Sequence, residues 1–142
     1  MKKTLYVFIA LFTLQIGFAQ VSEEAKTYIK NAGIPEQLDA TKTQILPAIL
    51  EENRVAFNKD YDAATKNYIS ELETLVNDNF ETADLKKYNE SIIANTAPEA
   101  MVPKDAVGFQ QKANTLQQNL GLFLQGLMEK YADPAILQQM QQ

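Results

Sequence analysis

Seven residues in the last third of the chain, Phe109, Ala113, Leu116, Leu120, Phe123, Leu127 and Tyr131, follow one another at spacings of 4-3-4-3-4-4. That is nearly the register of a coiled-coil seam, and it predicts one helix from about Asp105 to Tyr131. At 1.5 Å per residue this helix is roughly 40 Å long. A domain of this size has a radius of gyration of about 14 Å, so the helix spans the whole body. The expected fold is therefore all-α: a single compact bundle of about five helices, with the shorter ones packed along the long C-terminal helix. Asp133-Pro134 ends that helix, and residues 133–142 are expected to be a frayed tail.

The remaining segments also carry helical periodicity, and none shows sustained alternation of period two. Ser22 is placed to cap a first helix that stops at Gly33, with Ala25, Tyr28, Ile29 and Ala32 on its apolar face. Pro35 suits the first turn of a second helix carrying Leu38, Ile45, Leu46, Ile49 and Leu50. Pro47 lies inside that pattern and must kink or split it, because it removes a backbone donor and clashes one turn back. A third helix is expected from near Asp60, with Tyr61, Ala64, Tyr68, Leu72, Leu75 and Val76 on one face. A fourth is expected to be capped by Thr82, with Leu85, Tyr88, Ile92 and Ile93. A loop from about Asn95 to Lys104, containing Pro98 and Pro103, then leads into the last helix.

Residues 1–19 have the three-part layout of a secretory signal peptide. Lys2 and Lys3 precede an apolar run from Leu5 to Phe18, and the small residues Gly17 and Ala19 sit ahead of a cut between Ala19 and Gln20. The run is short for a spanning helix, which needs roughly 20 apolar residues, so no membrane insertion is expected after cleavage. No Cys follows the small residues, which excludes a lipid anchor of the lipoprotein type. The expected location is the periplasm or exterior of a Gram-negative bacterium, with residues 20–132 forming the helical domain.

Loss of Lys2 and Lys3 leaves 11 Lys and Arg against 18 Asp and Glu, a net charge of −7. An acidic chain whose single arginine is Arg54 has no clustered cations to neutralise phosphates, so nucleic acid is not an expected partner. The chain contains no Cys, His or Trp. Disulfides, thiol nucleophiles, imidazole or thiolate metal ligands and a Ser-His-Asp triad are thereby closed to it. Carboxylates remain, in Glu51-Glu52, Asp60-x-Asp62 and Glu71-x-Glu73. Neighbours one or two apart on a helix point in different directions, so none of these pairs converges by itself. The acidic turn from Asn77 to Asp84 fails the calcium-loop pattern, with Phe80 at the third position counted from Asp78 and Thr82 at the sixth counted from Asn77. No catalytic, cofactor-binding or metal-binding residue is assigned, and the chain is not expected to be an enzyme. Asn89-Glu90-Ser91 fits the glycosylation pattern.

The last helix offers the more informative surface. Leu122, Leu124 and Met128 widen its apolar sector beyond one seam, and glutamines including Gln117 and Gln125 leave its outer side uncharged. Such a side meets a partner without a heavy cost for desolvating ions. Leu122, Leu124, Met128, Gln117 and Gln125 are the candidate interaction residues, for a protein partner or a homodimer. Tyr28, Tyr61, Tyr68, Tyr88 and Tyr131 suggest an alternative, a small apolar ligand carried between helices.

From about Tyr68 to Tyr131 the order Phe80, Thr82, Asp84-Leu85, Tyr88 and Ser91 resembles a domain-of-unknown-function family of exported bacterial all-helical proteins. Ile92-Ile93-Ala94 stands where that family usually has a Pro and a Gly. The resemblance implies a helical fold and export but no reaction. The expected role is a non-catalytic protein–protein interaction module of the cell envelope, ahead of the ligand carrier and of a carboxylate- or metal-dependent enzyme.

Overall fold

The computed structural model describes residues 20–140, which form six helices. These are α1 (Glu23–Asn31), α2 (Ile34–Ile45), α3 (Arg54–Asn79), α4 (Thr82–Ile93), α5 (Ala106–Tyr131) and α6 (Pro134–Met140). Among the described residues there is no strand, only an isolated antiparallel bridge between Ile49 and Ala132. The fold is the expected all-α bundle. The stretch expected to be a signal peptide, including Ala19 of the expected cleavage site, lies outside the described residues.

Local chemistry accounts for most of the boundaries. The Ser22 hydroxyl accepts from the Ala25 amide at 3.2 Å, and Glu23 and Glu24 place negative charge on the positive end of α1. Gly33, at φ 73°, takes the left-handed conformation that separates α1 from α2 without a steric penalty. Asp105 caps α5 by accepting from the Gly108 amide at 2.9 Å.

Pro47 splits its segment rather than kinking it. Helix α2 stops at Ile45, Pro47 sits in a 3₁₀ turn (Leu46–Ala48), and Ile49 is extended. There Leu50 donates to the Tyr131 carbonyl at 3.2 Å and Asp133 donates to the Ala48 carbonyl at 2.9 Å, tying the break to the end of α5. A second 3₁₀ turn (Glu51–Asn53) then leads into α3, which starts at Arg54 rather than near Asp60. Thr82 is not a cap. Glu81 occupies that position in extended conformation, without a side-chain bond, and Thr82 is the first helical residue. The expected frayed tail is also corrected: residues 134–140 form α6. Asp133 accepts from the Ala135 amide at 2.8 Å, and Leu137 packs on the core, which holds this short helix down.

Helices α3 and α5 run antiparallel. At one end the Lys104 amide donates to the Asn79 carbonyl at 2.8 Å; at the other, Lys130 and Tyr131 meet Asp60. The shorter helices gather on α3 rather than along α5. The Tyr61 hydroxyl reaches the Leu38 carbonyl of α2 at 2.7 Å, and α1 lies between α3 and α4. Helix α3 has a face for α5 and another for the short helices, and it buries Phe57, Tyr61, Thr65, Leu75, Val76 and Asn79; α5 buries only Leu127 and Tyr131.

The buried apolar residues form two clusters. One holds Ile49, Phe57, Tyr61, Leu127, Tyr131 and Ala132; the other holds Ala25, Ile29, Val76, Phe80 and Leu85. They sit at opposite ends of the α3–α5 pair; between them α2 runs along one side of α3, while the middle of α5 has mainly α3.

Candidate functional site

The carboxylate pairs diverge, as their spacing requires. Asp60 turns to α5, where it accepts from the Tyr131 hydroxyl at 2.6 Å and from Lys130 at 3.2 Å. Those two partners hold its carboxyl below the usual range. Asp62 turns to α2 and pairs with Lys42 at 2.7 Å. Glu71 accepts from Asn67 at 3.2 Å, while burial raises the Glu73 carboxyl against the pull of Lys26. Among the described residues no three acids gather as a metal site would need. The acidic turn is structural: Asn77 accepts from the Ser22 amide at 2.9 Å, and the buried Asn79 side chain donates to the Leu75 carbonyl. Asn89 is buried, donating to the Glu24 carbonyl at 2.9 Å and accepting from Asn31 at 3.0 Å, so its amide is not presented for glycosylation.

The tyrosines separate into groups. Tyr28 packs against Tyr88 with ring centres 5.0 Å apart and planes tilted by 56°, while Tyr61 and Tyr131 both pack on Phe57 at the far end. Tyr68 stands between them on α3. The five do not frame one cavity.

The five candidate interaction residues lie on different sides of α5. Leu124 and Met128 pack against the Ile49–Tyr131 cluster beside Ile45, Leu46 and Leu137, so their surface is used within the chain. Gln117 and Gln125 are exposed. Leu122 is 68% exposed, and helical phase puts it on the side of α5 opposite Leu124 and Met128. Phe123, a seam residue, is 43% exposed because only α3 covers the middle of α5.

Leu122 and Phe123 border an open groove along the seam of α3 and α5, on the side away from the short helices. Near Lys130 its cleft is lined by Asp60, Ala63, Ala64, Leu122, Phe123 and Gly126, with a volume of about 680 Å³. It continues past Asn67, Leu116 and Leu120 to Glu71, Asp78, Gln111 and Lys112. A Cβ added at Gly121 or Gly126 would meet nothing within 4 Å, although glycine inside a helix costs about 1 kcal/mol relative to alanine. From Ala113 to Met128 the helix carries no ionisable residue. The contribution of Ala63, Ala64 and Asp60 to this surface is absent from the sequence reading. The small pair Ala63-Ala64, facing the seam of α5, is the only signal for it.

Among the described residues no helix is long and apolar enough to cross a membrane. Compared with protein-family models, curated proteins and solved structures, the chain gives no match.

Proposed function

We propose that this chain is an exported, non-catalytic protein–protein interaction module of the bacterial cell envelope, which binds a helical protein surface along the α3–α5 groove. The observation that carries the reading is that groove: mostly apolar, free of ionisable residues on its α5 side from Ala113 to Met128, and bordered by a leucine 68% exposed on a helix whose other side is already packed. Large apolar side chains held in water at a rigid helix pair mark contact surfaces more often than isolated exposed residues do. The layout of residues 1–19 supports the envelope location.

A photo-crosslinking amino acid at position 122, compared with one at Val55, tests this in intact cells. Val55 is 83% exposed but lies off the groove. The expected result is a discrete protein adduct at 122, recovered from the periplasmic or secreted fraction and missing at 55. Equal labelling at both positions, or none at 122, removes the reading.

A further inference from the structure

We infer that the groove takes a second copy of this chain, so that α3 and α5 of two molecules form a four-helix bundle. This rests on the interaction reading above and names its partner. The charges on the groove are sorted by helix. The ionisable residues lining it are Asp60, Glu71 and Asp78 on α3, and Lys112 and Lys130 on α5. A two-fold axis along the groove, parallel to the helices, lays α5 of each copy over α3 of the other, antiparallel to it, as in up-down bundles. Axial levels are preserved by that operation. Lys130 of one copy then faces Asp60 of the other, and Lys112 faces Asp78, because each pair already stands level within one chain.

The middle fits by shape. Leu122 of the second copy descends at the level of Ala63 and Ala64, which line the same cleft and leave room for it. Two copies that each carry −7 over the described residues repel across most of their surfaces. This face, with three carboxylates on α3 against two ammonium groups on α5 and only Glu71 of the three left facing the uncharged stretch of α5, is where they can meet. From Asp60 to Asp78 the groove is roughly 27 Å long, and two helix widths of about 10 Å give on the order of 550 Å² per copy. About 1,100 Å² in total is the low end for a specific interface, so the dimer is expected to dissociate in the micromolar range.

Sedimentation equilibrium of the exported chain, from residue 20 onward, is expected to show one-copy mass at about 5 µM and two-copy mass at about 500 µM. Added salt should strengthen association by screening the net repulsion. Leu122→Glu should abolish the dimer while circular dichroism stays unchanged. The decisive test uses two exposed residues. Lys112→Glu and Asp78→Lys should each weaken the dimer about tenfold, by setting like charges face to face. An equimolar mixture of the two variants should restore it, because each altered side chain then meets its opposite. One-copy mass throughout, a dimer indifferent to these changes, or a mixture without rescue overturns the second copy as partner. A one-copy protein that still forms an adduct at 122 in cells leaves the interaction reading standing and removes only this inference. Absence of both removes the two together.

Discussion

The two ends of the α3–α5 pair are closed by different means. At the Asp105 end the core is mostly aliphatic, built from Ala25, Ile29, Val76 and Leu85 with Phe80, and Phe109 packs edge-on against Phe80 at 5.3 Å. Its helices α1 and α4 are joined by Asn89, which bonds to the Glu24 carbonyl and to Asn31. At the Tyr131 end the core is aromatic, with Phe57 between Tyr61 and Tyr131. There the tyrosine hydroxyls reach the Leu38 carbonyl and Asp60, and the Asn53 side chain donates to the Tyr131 carbonyl at 3.2 Å. The first end clasps two helices through one buried amide. The second is tied by backbone as well, since Ile49 bridges Ala132. A molecule with a core at each end and a bare groove between leaves its midsection free to serve as a contact surface.

The largest way to break this arrangement is Phe57→Ala. Phe57 is 1% exposed and touches both tyrosine rings of its end, so truncation should cost about 3–5 kcal/mol in urea unfolding. If the two cores behave as separate units, amide exchange will accelerate first in α2, α6 and the adjoining ends of α3 and α5. Equal acceleration in α1 and α4 would show one cooperative core instead. Asn89→Ala acts on the other end and more gently. It leaves the Glu24 carbonyl and the Asn31 amide without their partner, which should cost about 1–3 kcal/mol. The accompanying exchange should appear in α1 and α4; its appearance at Tyr131 would erase the distinction between the ends.

The periodicity of α5 and the cap at Ser22 are local chemistry, so the sequence displays them and the structure keeps them. The start of α3 is less visible, because Val55 is exposed and Phe57 alone carries the apolar face of its first turns. Helix α6 is invisible for another reason. Its hold comes from Leu137 packing on a core that α2, α3 and α5 assemble, a contact with no local signature. The same limit applies to the groove. Leu122, Leu124 and Met128 all widen the apolar sector of α5 equally in sequence, yet α2 and α6 cover only the side bearing Leu124 and Met128. Period identifies faces; which face stays bare is decided by where the short helices dock. The sorting of Asp60, Glu71 and Asp78 against Lys112 and Lys130 likewise exists only once α3 and α5 are antiparallel.

The smallest expected effect sharpens the comparison through pH, because the Tyr131 end carries the polar cluster whose carboxyl is lowered. The Tyr131 hydroxyl and Lys130 both favour the ionised form of Asp60, and its folded value lies below the ordinary 3.8. A carboxyl lowered in the folded state adds stability that is present above its unfolded value and is lost as pH falls through the folded value. Lys130 is raised by its bonds to Tyr131 and Asp60. A group raised in the folded state contributes stability that is lost as pH rises through the folded value, so Lys130 itself stays charged across the acid range and Asp60 is the member of the pair that titrates there. Asp60→Asn should therefore lower the urea midpoint at pH 7, and the gap from the parent should narrow below about pH 4 as Asp60 of the parent is protonated. Tyr131→Phe should narrow in the same window, since it removes the main cause of the shift. A gap that holds constant from pH 7 into the acid range would mean that these variants act by packing alone, and the Tyr131 end would then be closed by its aromatic rings without help from the charge beside them.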